Sequence, residues 1–481
     1  MDFLKGVEIG ETVVREISIS SPPDIVFNTI CSRPFSFLLD SGMDKYRLGR
    51  YSFMGYGPFL TLRSKGKRIE VNTGGKTYTI IGNPLRILNK IIRHYKIKSD
   101  TSVPPFIGGG VGYFAYDLCH FIERLPRTAI DDLGVPDCYF CFYDTVLAYD
   151  HQEGRWYLSV TDFGQARSSE SEKTNEDYTR ERQVQIISEL KDIRTNRENF
   201  INPKVSKPVI KSNFSREDYL EAIRKVKEYI FAGDIYQANL SQRFHAKLPT
   251  EPYQLYKRLR TINPAPFACY LSFGDVTIVS SSPERFLKVE GDKVQTRPIK
   301  GTRPRGKNDC EDKRLKEELL ASEKDRAELN MIVDLERNDL GRVCNYGSVR
   351  VTEHAVVETY ATVFHLVSTV KGRLLPKYNC IDLLKACFPG GSITGAPKIR
   401  AMEIIDELEP TVRSVYTGSI GYLGFNDHAD LNIAIRTFLI KGDDVFFNVG
   451  GGIVADSTPE GEYDETLDKA KALIQSLTAI P

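Results

Sequence analysis

Short apolar runs separated by turn residues dominate the first part of the chain. Runs such as TVVREISI, RIEVNTGGKTYTIIG and CYFCFYDTVLAYD are rich in β-branched and aromatic residues, which is typical of strands. The turn sequences Asn72–Gly75 and Gln152–Gly154 predict hairpins. One amphipathic helix is predicted at PLRILNKIIRHY, where apolar positions recur at helical spacing.

The pattern changes twice along the chain. Between 161 and 212 the sequence becomes polar around one helical segment, which predicts a surface linker. Beyond it, Ser215 predicts a helix start, and long helices are predicted at about 311–337 and 462–478. Strands follow strands here instead of alternating with helices. The pattern therefore favours an α+β fold with antiparallel sheets over a doubly wound parallel sheet.

Composition narrows the class of protein. The 481 residues are 41% hydrophobic and 27% charged, with a net charge of +1, so we expect a globular protein without nucleic-acid or membrane partners. No apolar run approaches the ~20 residues that span a bilayer, and no signal peptide is expected. Nine scattered cysteines indicate a reducing, cytoplasmic location. Cys138 and Cys141 lie in a strand-like sequence, which favours packing over metal or redox chemistry.

Two predicted helices carry carboxylates on one face. In EKDRAELNMIVDLERNDLG, Glu328 lies at the edge of the apolar face, with Asp325 one turn before it. In the C-terminal helix, Glu462, Glu465 and Lys469 share a face. Two such faces could bind Mg²⁺ together with water and an anionic substrate. The alternatives are a glutamate paired with a nearby arginine and a solvated Glu–Lys face.

Glycine-rich segments are candidates for anion binding. The segment Phe388–Lys398 places Ser392 and Thr394 just before a predicted helix, where backbone N–H groups suit a carboxylate. Val449–Gly452 follows a strand and could act similarly. Turn geometry is the alternative for both. Gly108–Gly112 lacks the spacing of a dinucleotide loop, and we expect it to serve close packing.

A third hairpin is predicted to bring an acid close to an amine. The segment SSSPERFLKVEGDKVQTRPIKG turns at Gly291, so Val289 would face Val294. In that register Glu284 faces Ile299, and a one-residue bulge would bring it opposite Lys300. Nearby arginines and burial would favour a neutral, nucleophilic lysine. The alternative is an ordinary cross-strand ion pair.

Several long motifs give the chain a resemblance to a known family. In order, they are GDIYQANLSQRF, SSPERF, RPIKGTRPRG, AELNMIVDLERNDLGRV, FPGGSITGAPK, IAIRTF and GGGIVADSTPEGEYDET. They resemble the chorismate-utilising enzymes: anthranilate synthase component I, aminodeoxychorismate synthase component I, and the isochorismate and salicylate synthases. The resemblance implies a large four-layer αββα sandwich with two facing antiparallel sheets and outer helices. It also implies an anthranilate synthase component I-like domain at 1–160 and a chorismate-binding catalytic domain at 213–478.

The resemblance implies a role for each matching residue. Glu328 and Glu465 would hold Mg²⁺, supported by Asp325 and Glu462. Glu284 would protonate the departing C4 hydroxyl of chorismate, with His365 near the reacting ring. The implied substrate-binding positions are Gln237, Thr302, Ser392, Thr394, Tyr416, Arg436, Gly451, Gly452 and Lys469.

Two positions separate the members of this family. Members that use water carry a lysine in a GD-x-x-K motif, where this chain has Gln237. Anthranilate synthases typically read Pro-Ile-Ala-Gly-Thr, whereas this chain reads Pro-Ile-Lys-Gly-Thr, as aminodeoxychorismate synthases do. The resemblance therefore implies that Lys300 attacks C2, that ammonia adds at C4, and that the product is a precursor of 4-aminobenzoate and folate. The alternatives are anthranilate synthase component I and an inert regulatory subunit.

The resemblance also implies partners. The sequence has no Gly-x-Cys-x-Gly nucleophile element, so ammonia would come from a glutamine amidotransferase subunit in a heterodimer. No pyridoxal phosphate is implied. The family's tryptophan site maps onto Leu39, Asp40, Ser41, Asn263, Pro264 and Phe267. Asp40 replaces the usual glutamate and Ala265 the usual serine, which argues against feedback inhibition but leaves bound tryptophan open.

Overall fold

The computed structural model describes residues 2–4, 9–41, 43, 48–97, 104–163, 175–191, 208–360 and 363–478. The helices are α1 (Pro23–Ile30), α2 (Pro84–His94), α3 (Asn175–Lys191), α4 (Arg216–Phe231), α5 (Pro252–Ile262), α6 (Asp309–Ala321), α7 (Glu323–Gly341), α8 (Cys380–Cys387), α9 (Lys398–Leu408) and α10 (Pro459–Thr478). Short 3₁₀ turns lie at Asp2–Leu4, Tyr116–Phe121 and Gly391–Ile393.

The strands are β1 (Thr12–Ile17), β2 (Phe37–Asp40), β3 (Tyr51–Gly55), β4 (Leu60–Lys65), β5 (Arg68–Thr73), β6 (Lys76–Ile81), β7 (Gly109–Phe114), β8 (Cys138–Tyr143), β9 (Thr145–Asp150), β10 (Arg155–Thr161), β11 (Lys211–Ser212), β12 (Gln237–Lys247), β13 (Phe267–Phe273), β14 (Val276–Ser282), β15 (Arg285–Glu290), β16 (Lys293–Arg297), β17 (Ile299–Pro304), β18 (Arg350–Thr359), β19 (Val363–Arg373), β20 (Gly395–Ala396), β21 (Ser419–Gly424), β22 (His428–Asn432), β23 (Thr437–Lys441) and β24 (Asp444–Ile453).

Two large antiparallel sheets form the centre of the molecule. The first has the order β1-β10-β9-β3-β2-β13-β14-β23-β24-β12-β11, and β20 also pairs with β12. The second has the order β17-β19-β16-β15-β22-β21-β7-β8-β4-β5-β6, and β18 pairs with β19. The predicted α+β class with antiparallel sheets is confirmed.

The hydrophobic core has three layers. Between the sheets, Phe53 of the first sheet packs edge-on against Tyr422 of the second, with ring centroids 5.6 Å apart. Outside the first sheet, α1, α5 and α10 bury residues such as Phe27 and Leu473. Outside the second, α2, α7 and α8 bury residues such as Ile91. Helices therefore cover both outer faces, as the four-layer prediction required.

Both sheets run through both predicted domains. In the first sheet Leu38 of β2 pairs with Tyr270 of β13, and in the second Gly112 of β7 pairs with Gly421 of β21. The predicted boundaries at 160 and 212 stay predictions. Within the predicted linker, the helix corresponds to α3, while 164–174 and 192–207 lie outside the described residues.

Most local predictions are confirmed. Hairpins turn at the three predicted places, and the Ser215 hydroxyl caps α4 by accepting the N–H of Asp218. A Cβ on Gly112 would lie 2.0 Å from the Tyr139 carbonyl, so this glycine-rich segment serves close strand packing. None of the nine cysteines forms a disulfide, and Cys138 and Cys141 are buried. No described helix combines the length and apolar character needed to cross a membrane.

The single long helix predicted at 311–337 is wrong. The chain leaves helical geometry at Ser322, which ends α6 and caps α7 by accepting the N–H of Asp325. A serine followed by acidic residues competes with helix continuation because its side chain replaces a backbone acceptor. The break sets the start of α7, the helix that carries Asp325 and Glu328.

Candidate active site

The acid–amine hairpin keeps its predicted turn but not its predicted strand ends. Val289 faces Val294, yet an irregularity between Arg285 and Lys288 brings Arg285 opposite Arg297. That shift is opposite in sense to the bulge that would pair Glu284 with Lys300. Even so, Glu284 Oε1 accepts the backbone N–H of Ile299 at 3.4 Å, so the acid reaches the start of β17.

Lys300 finds its partner on helix α7. Its Nζ donates to Glu328 Oε1 at 2.7 Å, and Gln237 Nε2 donates to the same oxygen at 2.6 Å. The Lys300 and Glu328 side chains are only 11% and 16% exposed. This charge-assisted contact ties the strand that carries the lysine to the helix that carries the predicted metal ligand.

The two carboxylates near Lys300 have opposite pKa shifts. Burial raises the pKa of Glu284 to about 7, against weaker lowering by Ser392, Lys300 and the Ile299 N–H. Burial also acts on Glu328, but the Lys300 ammonium and the Gln237 amide hold its pKa below the ordinary value. Near neutral pH, Glu284 can therefore carry a proton while Glu328 is an anion.

His365 lies opposite Thr302 across β17 and β19. Its Nδ1 and the Thr302 hydroxyl are 2.9 Å apart, and its ring packs edge-on against Tyr360. Burial and the nearby Arg436 lower the pKa of His365 to about 4. The imidazole is therefore neutral near pH 7 and is held in one orientation.

The segment from 388 to 398 lines the site with one available hydroxyl. The Thr394 hydroxyl donates to the Gly390 carbonyl at 2.9 Å, and its own carbonyl accepts the N–H of Asn239. Ser392 Oγ is buried and has no well-formed hydrogen bond to any described residue, although it lowers the pKa of Glu284. Of the two predicted residues, Ser392 is thus the one free to bind a ligand.

A buried cation that the sequence interpretation missed holds this segment. Arg413 and Glu409 form an ion pair with side chains only 1% and 4% exposed. Arg413 also donates to the carbonyls of Ile393 and Asn239, which links the 388–398 segment to β12. No sequence pattern distinguished Arg413 from a surface arginine, apart from its apolar neighbours in TVRSVY.

Two further cations could receive carboxylates. Arg436 has a positive φ of 53° and donates to the Lys469 carbonyl, and no described residue forms an ion pair with it. Lys469 Nζ lies 2.9 Å from the Gly450 carbonyl and 2.6 Å from Glu465. Tyr416 is buried nearby, where burial raises its pKa to about 12, so it remains a neutral hydrogen-bond donor.

Three carboxylates converge on the glycines of β24. A Cβ on Gly451 would lie 2.9 Å from Glu462 Oε2 and 3.7 Å from Glu465 Oε1, and one on Gly452 would lie 3.0 Å from Glu328 Oε1. Side chains at these positions would fill the space that the carboxylates face.

These carboxylates suit Mg²⁺. Glu462 Oε2 is buried and has no hydrogen-bond partner among the described residues. Within those residues, no three acidic, histidine or cysteine side chains are close enough to enclose a cation. Mg²⁺ usually takes one or two carboxylates and completes its shell with water and substrate, so the donor set fits. The fourth predicted residue, Asp325, instead pairs with Arg303 at 3.2 Å.

A separate cavity of about 390 Å³ coincides with most of the candidate tryptophan site. Leu39, Asp40, Ser41 and Phe267 line it, whereas Asn263 and Pro264 do not. The carboxylate of Asp40 is fixed by Tyr256 and Arg260, which both donate hydrogen bonds to its Oδ2.

Comparisons with known proteins agree on one family. The family described as chorismate binding enzyme matches residues 37–475. Aminodeoxychorismate synthase component 1 of Bacillus subtilis is 41% identical over 446 residues, which cover 93% of this chain and 92% of that protein. Anthranilate synthase component 1 of Thermus thermophilus is 43% identical over 444 residues, covering 92% of each. The crystal structure of anthranilate synthase component I from Streptococcus pneumoniae superimposes with a TM-score of 0.78 at 34% identity, covering 89% of this chain and 92% of that one.

Proposed function

The chain belongs to the chorismate binding enzyme family, and we propose that it is the synthase component that converts chorismate and ammonia to 4-amino-4-deoxychorismate. Overall similarity does not choose between the two activities, because relatives with either name are about equally identical. The observation that carries the proposal is Lys300, a lysine placed between a buried acid and the predicted metal carboxylate.

Substrate binding would use the cations on one side of the site. Chorismate carries two carboxylates, which suit Arg436, Lys469 and the Tyr416 hydroxyl. Glu328 and Glu465 would hold Mg²⁺, with Glu462 in support, and the ion would supply positive charge for the ring carboxylate. Ser392 and Thr302 would line the ring, and Arg413 keeps the Ser392 segment in place.

Lys300 would act as nucleophile and Glu284 as acid. The neutral lysine nitrogen bonds to C2, both ring double bonds shift, and the C4–O bond breaks as Glu284 gives its proton to the departing hydroxyl, which leaves as water. Ammonia then bonds to C4, the double bonds shift back, and the C2–N bond breaks to release Lys300 as a neutral amine. The new ammonium at C4 gives a proton to Glu284, which restores the acid. Neutral His365, fixed by Thr302, would lie beside the ring as a hydrogen-bonding group.

Ammonia would come from a separate glutamine amidotransferase subunit. The sequence contains no Gly-x-Cys-x-Gly element. The free base must then reach C4 without crossing bulk water, where it would be protonated. We therefore propose a heterodimer that serves 4-aminobenzoate and folate synthesis, with the cavity at Leu39 and Phe267 as the candidate tryptophan site.

Anthranilate synthesis is the second candidate, favoured by the Thermus thermophilus relative at 43% identity. In that reaction the same substrate is aminated at C2, and Lys300 would be a bystander. The two candidates therefore differ in product and in the need for the lysine.

Product analysis tests the proposal. The protein is given chorismate, Mg²⁺ and ammonium, and the product is identified by mass and fluorescence, with an ammonium-free reaction as control. We expect a non-fluorescent amino product with the mass of 4-amino-4-deoxychorismate. Direct formation of fluorescent anthranilate would overturn the proposal.

A further inference from the structure

One carboxylate oxygen, Glu328 Oε1, has two donors. Lys300 Nζ lies 2.7 Å from it and Gln237 Nε2 2.6 Å. Gln237 is 1% exposed, and its own Oε1 has no hydrogen-bond partner among the described residues, so it cannot turn away without burying more unpaired groups. The lysine is the donor with room to leave, because its contact is through a long flexible side chain.

The backbone around Lys300 directs this contact. The pairing of β17 with β19 shifts register between Lys300 and Thr302, at Gly301, which has a φ of 73°. A Cβ there would lie 2.9 Å from Leu319 and 3.0 Å from Asp325, so only glycine fits. Such an irregularity re-aims neighbouring side chains. Here it accompanies a lysine that points at α7 instead of at Glu284.

The other two candidate metal carboxylates, Glu462 and Glu465 on α10, have different surroundings from Glu328. Glu465 pairs with Lys469 at 2.6 Å, but these side chains are 51% and 33% exposed. Glu462 is buried, and its Oε2 has no described partner. Solvent screens the exposed pair, so Lys469 competes weakly for a cation. Of the three carboxylates, Glu328 is the one whose Oε1 accepts hydrogen bonds from two mostly buried protein groups in the metal-free protein.

Two cations cannot share this oxygen comfortably. Mg²⁺ sits about 2.0–2.1 Å from its oxygen ligands and requires near-octahedral geometry. An ammonium at hydrogen-bonding distance from the same oxygen would then lie within about 5 Å of a dication, in a site with little water. Coordination of Mg²⁺ through Oε1 therefore requires the ammonium to move, and Lys300 has the flexible side chain that allows it.

We propose that Lys300 and the divalent cation exchange at Glu328: the lysine ammonium neutralises the carboxylate in the metal-free protein, and metal binding displaces it toward the substrate, where it gives its proton to solvent and becomes the nucleophilic amine. This inference rests on the roles given to Lys300 and Glu328 in the proposed function. The exchange couples Mg²⁺ binding to the movement of the Lys300 side chain toward the substrate. It also explains how a nucleophilic lysine is kept from reacting before the site is assembled.

Magnesium affinity measured by calorimetry, without chorismate, tests the exchange. Lys300→Met removes the competing charge but keeps most of the side-chain volume. We expect it to bind Mg²⁺ about tenfold more tightly than the unaltered protein, the change that one charge-assisted hydrogen bond corresponds to. Lys65→Met is the matched control, since Lys65 pairs with Asp131 and Asp137 away from the site. Unchanged or weaker binding in Lys300→Met, or no binding in either protein, would overturn the exchange.

Lysine labelling gives an independent readout. The protein is treated briefly with an amine-acylating reagent with and without Mg²⁺, and modified peptides are quantified by mass spectrometry. We expect Lys300 to react several-fold faster with Mg²⁺ than without it. The control is Lys398, whose side chain is 14% exposed and pairs with Asp339 at 2.6 Å, and we expect its labelling rate to stay the same. Equal or slower labelling of Lys300 with Mg²⁺ would contradict the exchange. Neither readout needs turnover, so the exchange and the proposed reaction can fail separately.

Discussion

Two sides of the site flank Lys300: a strand wall beside β15 and β17, and a helix wall at α7. Each presents a glutamate that is buried or mostly buried, and the two carboxylates have opposite pKa shifts. On the strand wall, Glu284 is 4% exposed and accepts one long hydrogen bond from the Ile299 N–H, and its pKa rises to about 7. On the helix wall, Glu328 accepts from both Lys300 and Gln237, and its pKa falls below the ordinary value.

Burial alone therefore does not decide which glutamate is the acid. Both are desolvated, and the difference lies in the donors that reach the charged form. The Lys300 ammonium and the Gln237 amide keep Glu328 an anion, whereas the weaker interactions at Glu284 leave its pKa at about 7. Pairs of carboxylates with divergent pKa values are how active sites separate acid and base roles.

Replacing Lys300, which lies between the two glutamates, should have the largest effect on activity. Lys300→Ala deletes the nucleophile, and we expect formation of the amino product to fall by at least about a thousandfold, with some anthranilate appearing instead. Lys300→Arg is the matched control, because it keeps a charge for Glu328 but cannot attack carbon, and we expect it to be equally inactive. Full activity in Lys300→Ala, measured as kcat/KM, would refute covalent catalysis.

Removing the acid from the strand wall should have the next largest effect. Glu284→Gln keeps the shape but cannot donate a proton, and we expect kcat to fall by about a hundred- to ten-thousandfold. Glu336→Gln is the control for a neighbouring buried acid, because Glu336 is also buried with a pKa raised to about 8 and accepts a hydrogen bond from Thr296, while it interacts with Glu284 only through charge. An equal loss in both variants would mean that buried charge, not proton donation, is what matters.

The loss of activity at alkaline pH should report the protonation of Glu284. An acid catalyst must be protonated, and the pKa of Glu284 is raised to about 7. We therefore expect activity to fall about tenfold per pH unit above pH 7. His365 stays neutral across this range because its pKa is lowered to about 4. If the residual activity of Glu284→Gln still falls in the same way above pH 7, the alkaline limb belongs to another group.

The smallest effect is expected for Ser392→Ala, which tests what sets the pKa of Glu284. Ser392 lowers the pKa of Glu284, so Ser392→Ala should move the alkaline limb to higher pH by a fraction of a unit. Thr394→Val is the control, since the Thr394 hydroxyl is already bonded to the Gly390 carbonyl. A shift of the limb to lower pH in Ser392→Ala would reverse the assigned cause.

Local signals predicted much of the fold. The three hairpin turns and the Ser215 cap follow from residues close in sequence, and all are present. The long helix at 311–337 failed because helical periodicity continues through Ser322, whose side chain caps a new helix. The predicted strand ends near Glu284 failed because β15 has one extra residue between Arg285 and Lys288, which a register counted from the turn does not include.

The sequence named candidate site residues but not the contacts between them. The hairpin suggested an acid near Lys300, yet the lysine's partner is Glu328, on a helix that only the tertiary fold brings close. Gln237 matched a family position, but its contact with Glu328 joins β12 to α7 and has no local signature. Arg413 was missed because burial of a charge depends on Glu409 and the carbonyls around it.

The most direct test of the central claim looks for the bond itself. The protein with Mg²⁺ is mixed with chorismate in the absence of ammonium, quenched, digested and analysed by mass spectrometry. We predict an adduct of dehydrated chorismate on the peptide that contains Lys300, absent from Glu284→Gln at the same time point because the hydroxyl cannot depart. Amino product formed at full rate on adding ammonium, with no adduct on Lys300 at any time, would contradict the account.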